Sequence, residues 1–209
     1  KGEDTRTNRS LVYLGLGDFE RGWADYACRF GAEREKDWRD YQCPLWNGER
    51  LDGPLLIWGE QGLGDQILYA SMIPDLQQRT TPIVIEVEPR LVPLFARSFP
   101  GIEVVALAKA LHAGPSAAHI AFGTLGQFLR PSWESFPHRP GGFLTADPAQ
   151  ASALRRRLKT DDRLVVGLSW GSGSLQRASA AWTRTAPSPS ARASSSRSAR
   201  SGGVAGSRA

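Results

Sequence analysis

The chain has 209 residues, of which 41% are apolar and 22% charged, with two cysteines and a net charge of +5. That length suits one domain, or one and a fraction of a second, at roughly 150 residues each. It excludes a disulfide scaffold and a membrane span, since no apolar run nears the ~18 residues a spanning helix needs, and the excess charge is confined to residues 171–209, which hold six arginines and leave residues 1–170 at −1, without the basic footprint of a nucleic-acid-binding domain.

Cys28 and Cys43 do not combine with His112, His119 and His138 in any metal-ligand spacing, so plain reduced thiols, no metal and no cofactor are expected. The first residue is Lys1, inside what reads as a helix. We expect a fragment edge or a processed end, no signal peptide, and a soluble cytoplasmic protein.

Residues 1–37 read as a helical hairpin. Leu11, Val12, Leu14, Leu16, Phe19, Trp23, Tyr26 and Phe30 recur at three- and four-residue steps around a break at Gly17-Asp18. A helix ends near Gly15–Gly17, and Asp18 caps an amphipathic helix over Phe19–Phe30. The pattern L-x-x-G-D-F-x-x-G-W-x-x-Y resembles the later part of a tetratricopeptide repeat, with a generic hairpin as the alternative. A single repeat cannot bury its own face, so it needs neighbours or must dock on the next domain. Residues 38–53 carry Trp38, Tyr41, Pro44 and Trp46, then Asn47-Gly48 and Asp52-Gly53. They read as an ordered aromatic connector.

Residues 54–163 alternate strand and helix signals. Strands are expected at Leu55–Trp58, Ile83–Val87, Ile102–Leu107 and His119–Phe122. Helices are expected at Asp65–Arg79, kinked or restarted by Pro74, at Leu91–Ser98, and at Pro148–Lys159 with Asp147 as its cap; Thr124–Leu129 follows the last of the strands as a further segment. The alternation predicts an α/β, Rossmann-like, doubly wound parallel sheet. A further strand is expected over Leu164–Trp170. After it Ser, Ala, Arg, Gly and Pro dominate, and residues 174–209 are expected to be a disordered tail.

The most informative segment is Leu55-Leu56-Ile57-Trp58-Gly59-Glu60-Gln61-Gly62-Leu63-Gly64-Asp65. A strand enters a loop with glycines at 59, 62 and 64, and a helix starts at about Asp65. Glycines let a ligand approach the main chain, and the helix start offers free N–H groups and the positive end of a dipole. The spacing G-x-x-G-x-G is neither the dinucleotide fingerprint nor a P-loop. A tight βα turn without a ligand remains the alternative.

G-E-Q-G-L-G-D-Q-I at 59–67, preceded by P-L-W-N-G-E-R-L-D-G and followed by I-E-V-E-P-R-L-V-P-L, resembles a bacterial family. In it, tetratricopeptide repeats are joined to a glycosyltransferase-like domain related to the heptosyltransferases. F-E-R-G-W-A-D-Y-A-C-R-F at 19–30, A-F-G-T-L at 121–125, F-L-T-A-D at 143–147 and V-G-L-S-W-G-S-G at 166–173 fit in order, so the resemblance covers roughly residues 8–173.

The resemblance implies a two-domain GT-B architecture, with acceptor on the N-terminal domain and nucleotide sugar on the C-terminal one. Asp65 matches the proposed catalytic base, which takes the acceptor hydroxyl proton. Its position at a helix N-terminus lowers a carboxylate's pKa, so simple capping of the helix is the alternative role. Glu60 is the other candidate carboxylate. Gly59, Gln61, Gly62 and Gly64 complete the ligand-binding set.

The family pattern stops at about Ser174. Residues 164–173 then stand as the first strand of a second domain that is absent. The following lysine-free, acid-free composition is what GC-rich DNA gives when read out of frame. The expectation is a truncated or frameshifted chain without the donor-binding half, inactive alone. A second hypothesis is a protein-binding scaffold acting through the repeat-like helices. RNA binding by the Ser/Arg tail is not expected, because regular repeats and interleaved aromatics are missing.

Overall fold

The protein, as a computed structural model, is described over residues 2–31, 38–80, 82–108, 114–138, 141–158 and 166–167. The chain divides into two compact units, Lys1–Asp162 and Arg163–Ala209. In the second, only Val166 and Gly167 are among the described residues, and both are exposed. The expected strand at Leu164–Trp170 and the expected tail otherwise lie outside the described residues.

The first unit opens with α1 (Gly2–Gly15) and α2 (Phe19–Tyr26), followed by a 3₁₀ turn at Ala27–Phe30. The turn between the helices forms because Gly17 adopts φ +80, a left-handed conformation open to glycine. The Asp18 carboxylate then accepts the Arg21 N–H at 3.2 Å. Gly22 lets the helices close: a Cβ there would stand 2.6 Å from Leu14 Cδ2. Buried Asp25 binds them further, accepting hydrogen bonds from Arg9 Nε at 2.6 Å and Arg6 Nε at 3.1 Å.

A parallel sheet follows: β1 (Leu55–Trp58), β2 (Ile83–Val87), β3 (Glu103–Ala106) and β4 (Ala118–Ala121), in the order β3-β2-β1-β4. β1 pairs with β2 from Leu55↔Ile83 and with β4 from Leu55↔Ala118. β1, β2 and β4 are buried along their whole length, as strands covered on both faces should be. The order reverses between β1 and β4, which makes the topology doubly wound.

One face holds Leu55, Ile57, Ile83, Ile85, Val87 and Ile120. It is covered by α3 (Leu63–Ala70), α4 (Ile73–Leu76), α5 (Val92–Ser98) and α6 (Leu125–Leu129). Pro74 falls in the first turn of α4, where its missing N–H costs nothing; it therefore restarts the helix rather than kinking it. The last helix, α7 (Pro148–Leu158), begins where the Asp147 carboxylate accepts the Gln150 N–H at 2.9 Å.

The other face presents Leu56, Trp58 and Val84, and it is covered by Phe30 at the end of the 3₁₀ turn and by Trp38, Tyr41 and Cys43 of the connector. Trp38 meets Trp58 edge-on with ring centroids 5.8 Å apart. The connector also extends the sheet: Leu45 bridges His119 in parallel, Trp46 N–H donates to His119 O and His119 N–H donates to Pro44 O. Among the described residues, no helix is long and apolar enough to cross a membrane.

Candidate functional site

In an open parallel sheet the ligand crevice lies at the carboxyl ends of the strands, where the strand order reverses. Here that point lies between the loop after β1 (Gly59–Gly62) and the turn after β4 (Phe122–Thr124). The sequence-derived residues sit on the first of these. Gly59 N–H donates to Glu86 O at 2.6 Å, tying the loop to β2. A side chain at 59 would strike Gln66 Oε1 at 2.7 Å, and that oxygen is needed to accept Glu88 N–H at 3.0 Å. Gln61 is the single non-glycine residue with positive φ (58°) among the described residues.

Gly62 is the N-cap of α3, and its N–H donates to Asp65 Oδ2 at 3.0 Å. Asp65 thus reaches back to cap its own helix, half of a capping box whose other half a glycine cannot provide. Gly64 is exposed and has no atom within 4 Å of where a Cβ would be, so nothing around it demands glycine. Asp65 is part-exposed, while Glu60 is buried to 7%.

Glu60 is held by a residue the sequence reading passed over. Arg29, at the end of the hairpin, donates from Nε to Glu60 Oε2 at 2.8 Å and from Nη2 to Oε1 at 2.5 Å. Oε1 also accepts Gly123 N–H at 3.0 Å, and Arg29 Nη2 reaches Thr124 Oγ1 at 2.7 Å. Beside them Gln61 Nε2 donates to Tyr26 Oη at 2.8 Å, and the Tyr26 and Tyr69 hydroxyls share a 2.7 Å hydrogen bond. Burial, above all, pushes the Tyr69 phenol well above its ordinary pKa, so it is a neutral hydroxyl at any physiological pH.

A second polar group lies on the connector face. Glu86, 1% exposed in the middle of β2, accepts from Tyr41 Oη and from Arg39 Nη2 at 3.1 Å. Burial, then the Glu86 hydrogen bond, raises the Tyr41 pKa. Trp58 Nε1 donates to His119 Nδ1 at 3.1 Å, and burial lowers the His119 pKa against an opposing pull from Asp40. His119 is therefore a neutral acceptor. Among the described residues there is no group of His, Cys, Asp or Glu able to hold a metal ion.

On its other side the hairpin borders an open apolar cavity of about 430 Å³, walled by Leu14, Phe19, Trp23, Leu68, Tyr69 and Phe136. Leu68 and Tyr69 follow Asp65 on α3 by three and four residues, so all three share one helix face.

The structure thus brings Gly59, Glu60, Gln61, Gly62 and Asp65 onto one loop and helix start, and sets Glu60 apart as an engaged, buried partner. Arg29, Tyr26, Tyr69, Gly123 and Thr124 were missed. Gly123 and Thr124 lie within the A-F-G-T-L motif, and Tyr26 and Arg29 within F-E-R-G-W-A-D-Y-A-C-R-F at 19–30, but neither motif says what its residues would touch.

No protein-family model matches the chain, and no solved structure matches it. Among curated proteins it is similar to Protein FlbA of Caulobacter vibrioides (strain ATCC 19089 / CIP 103742 / CB 15), with 36% identity over 184 residues, covering 78% of this chain and 30% of FlbA. The chain therefore spans less than a third of that relative's length.

Proposed function

We propose that this chain carries the acceptor-binding half of a glycosyltransferase-like protein, with a tetratricopeptide-like hairpin fused to its first nucleotide-fold domain. The observation that carries the reading is the position of the glycine loop. It lies at the reversal of strand order, on the carboxyl edge of the sheet, with the α3 start behind it. The motif series around it resembles the heptosyltransferase-related family over roughly residues 8–173.

In this reading Asp65 is the general base. It lies part-exposed at the edge, whereas Glu60 is saturated by Arg29 and Gly123 and serves the architecture. The acceptor hydroxyl approaches the open side at Gly62 and Gly64, gives its proton to Asp65, and attacks the anomeric carbon of a nucleotide sugar, whose bond to the phosphate oxygen breaks as the nucleotide leaves with the electron pair. The donor face comes from a second domain of the whole protein, so this segment alone transfers nothing. Free Cys28 and Cys43 fit a reducing compartment, and we place the protein in the cytoplasm.

The test is nucleotide release from a panel of UDP-, ADP-, GDP- and CMP-sugars by the longest natural protein containing this segment. Asp65→Asn should lower release about 100-fold or more, the usual contribution of a general base, with an unchanged fold by circular dichroism. Undiminished release would remove Asp65 from the chemistry. The alternative is a protein-binding scaffold, favoured by the exposed Leu11 and Val12 on α1 and Leu16 just after it. It becomes the leading reading if no sugar nucleotide is turned over or bound.

A further inference from the structure

The last turn of the hairpin holds two consecutive residues of the glycine loop, Glu60 through Arg29 and Gln61 through Tyr26. The same Arg29 reaches the turn after β4 at Thr124, and Glu60 reaches it at Gly123. These are the two loops that flank the reversal of strand order. Gly123 is a glycine for this reason: a Cβ there would stand 2.9 Å from Glu60 Oε1 and 3.0 Å from Tyr26 Cε1.

The Arg29 and Glu60 side chains are only 1% and 3% exposed. Stability alone does not account for such a pair, since two apolar side chains of similar volume commonly serve as well. What an arginine uniquely supplies is direction, from five donors in a fixed planar fork. Arg29 uses that fork on both oxygens of Glu60, on Thr124, and on the Tyr26 carbonyl at 3.1 Å. Its guanidinium is fixed in turn between the Tyr26 and Phe30 rings, 4.4 and 4.3 Å from their centroids.

We propose that Arg29 is a positioning residue for the ligand edge of the sheet: it sets the loops after β1 and β4 against each other, which makes the helical hairpin a built-in part of the acceptor site rather than a detachable adaptor arm. The acceptor assignment rests on the transferase reading; the positioning of the loops does not.

The experiment compares the full chain with Arg29→Lys, Arg29→Met and Arg29→Met/Glu60→Met, by thermal melting and by amide hydrogen exchange. Exchange reports local opening separately from global unfolding. Lysine keeps the charge but cannot span both loops. Amides of residues 60–64 and 123–125 should exchange about tenfold faster in Arg29→Lys, while those of β2 change less than about twofold. The double Met variant should regain much of the melting temperature that Arg29→Met loses and still exchange fast at both loops. Wild-type loop exchange in Arg29→Lys, or loop protection returning together with the melting temperature in the double variant, would overturn the proposal by reducing the pair to packing.

The acceptor role is read in the longer natural protein. Arg29→Lys there should raise the acceptor KM about tenfold, one unit of 1.4 kcal/mol, and leave the donor KM alone. An unmoved acceptor KM in an active enzyme refutes the link to the acceptor site. An enzyme that transfers no sugar refutes the transferase reading, while the exchange experiment still decides the positioning.

Discussion

The indole of Trp23 lies flat against the backbone of Gly126, where any side chain would overlap its ring. The same indole donates from Nε1 to the Arg130 carbonyl at 2.7 Å. One residue of α2 is thus packed on α6 and hydrogen-bonded to the residue that caps its C-terminus. The hairpin is thus docked on the sheet domain of its own chain. Gly126→Ala should therefore lower stability by ~1–3 kcal/mol, the usual cost of overpacking a filled contact. A urea titration with the unfolding slope unchanged would show it, and an unaltered midpoint would mean that the hairpin does not rest on Gly126.

Asp25 provides a pH-dependent link within the hairpin. The hydrogen bond from Arg9, then that from Arg6, depresses its carboxyl pKa to about 2. A depressed carboxylate stabilises the fold above its unfolded pKa, roughly 4, and that contribution disappears as pH falls through the window down to about 2. Urea midpoints between pH 5 and pH 2 should fall more steeply for the wild type than for Asp25→Asn. Parallel curves would show that Asp25 is not linked to folding.

His119 acts at higher pH. Burial disfavours its charged form, so the unfolded chain takes up the proton first, near the ordinary value of about 6.5. Stability is thus complete above that value and declines as pH drops below it. Protonation also turns Nδ1 from an acceptor into a donor facing Trp58 Nε1. His119→Asn, which keeps an acceptor oxygen, should flatten the melting temperature between pH 7 and pH 5. The Trp fluorescence change of the wild type over that range should vanish with it.

Glu86 tests the connector. Arg39 reaches it from a stretch of chain with little regular structure, and their side chains are 15% and 2% exposed. Removing the cation alone leaves a buried anion with Tyr41 as its remaining named donor, so Arg39→Met should cost ~3–5 kcal/mol. Arg39→Met/Glu86→Leu should recover most of that. A double variant as unstable as the single one would show that the carboxylate is not the source of the loss.

Much of the fold could be read from the chain. Leu55–Trp58 and Ile83–Val87 are strands over the predicted residues, because short runs rich in Ile, Val and Leu bounded by turn residues suit strands buried on both faces. Asp18 and Asp147 mark helix starts through local chemistry that needs no partner. The candidate site was only half legible. Gly59 and Gly62 announce a loop, but Arg29 meets Glu60 across 31 positions, and such a contact leaves no periodic trace. Glu86 had a signal that went unused: a carboxylate inside the apolar run IVIEV must find a cation, and Arg39 was available.

The hydrogen bond from Trp23 to Arg130 spans 107 positions of sequence. A ribosome adds ~5–20 residues per second, so the finished hairpin leaves the exit tunnel several seconds before its seat on α6 exists. Over that interval Trp23 lacks the Gly126 backbone it packs on and Phe19 lacks the Trp133 ring it meets edge-on. The hairpin is thus complete before the surface that seats it has been made.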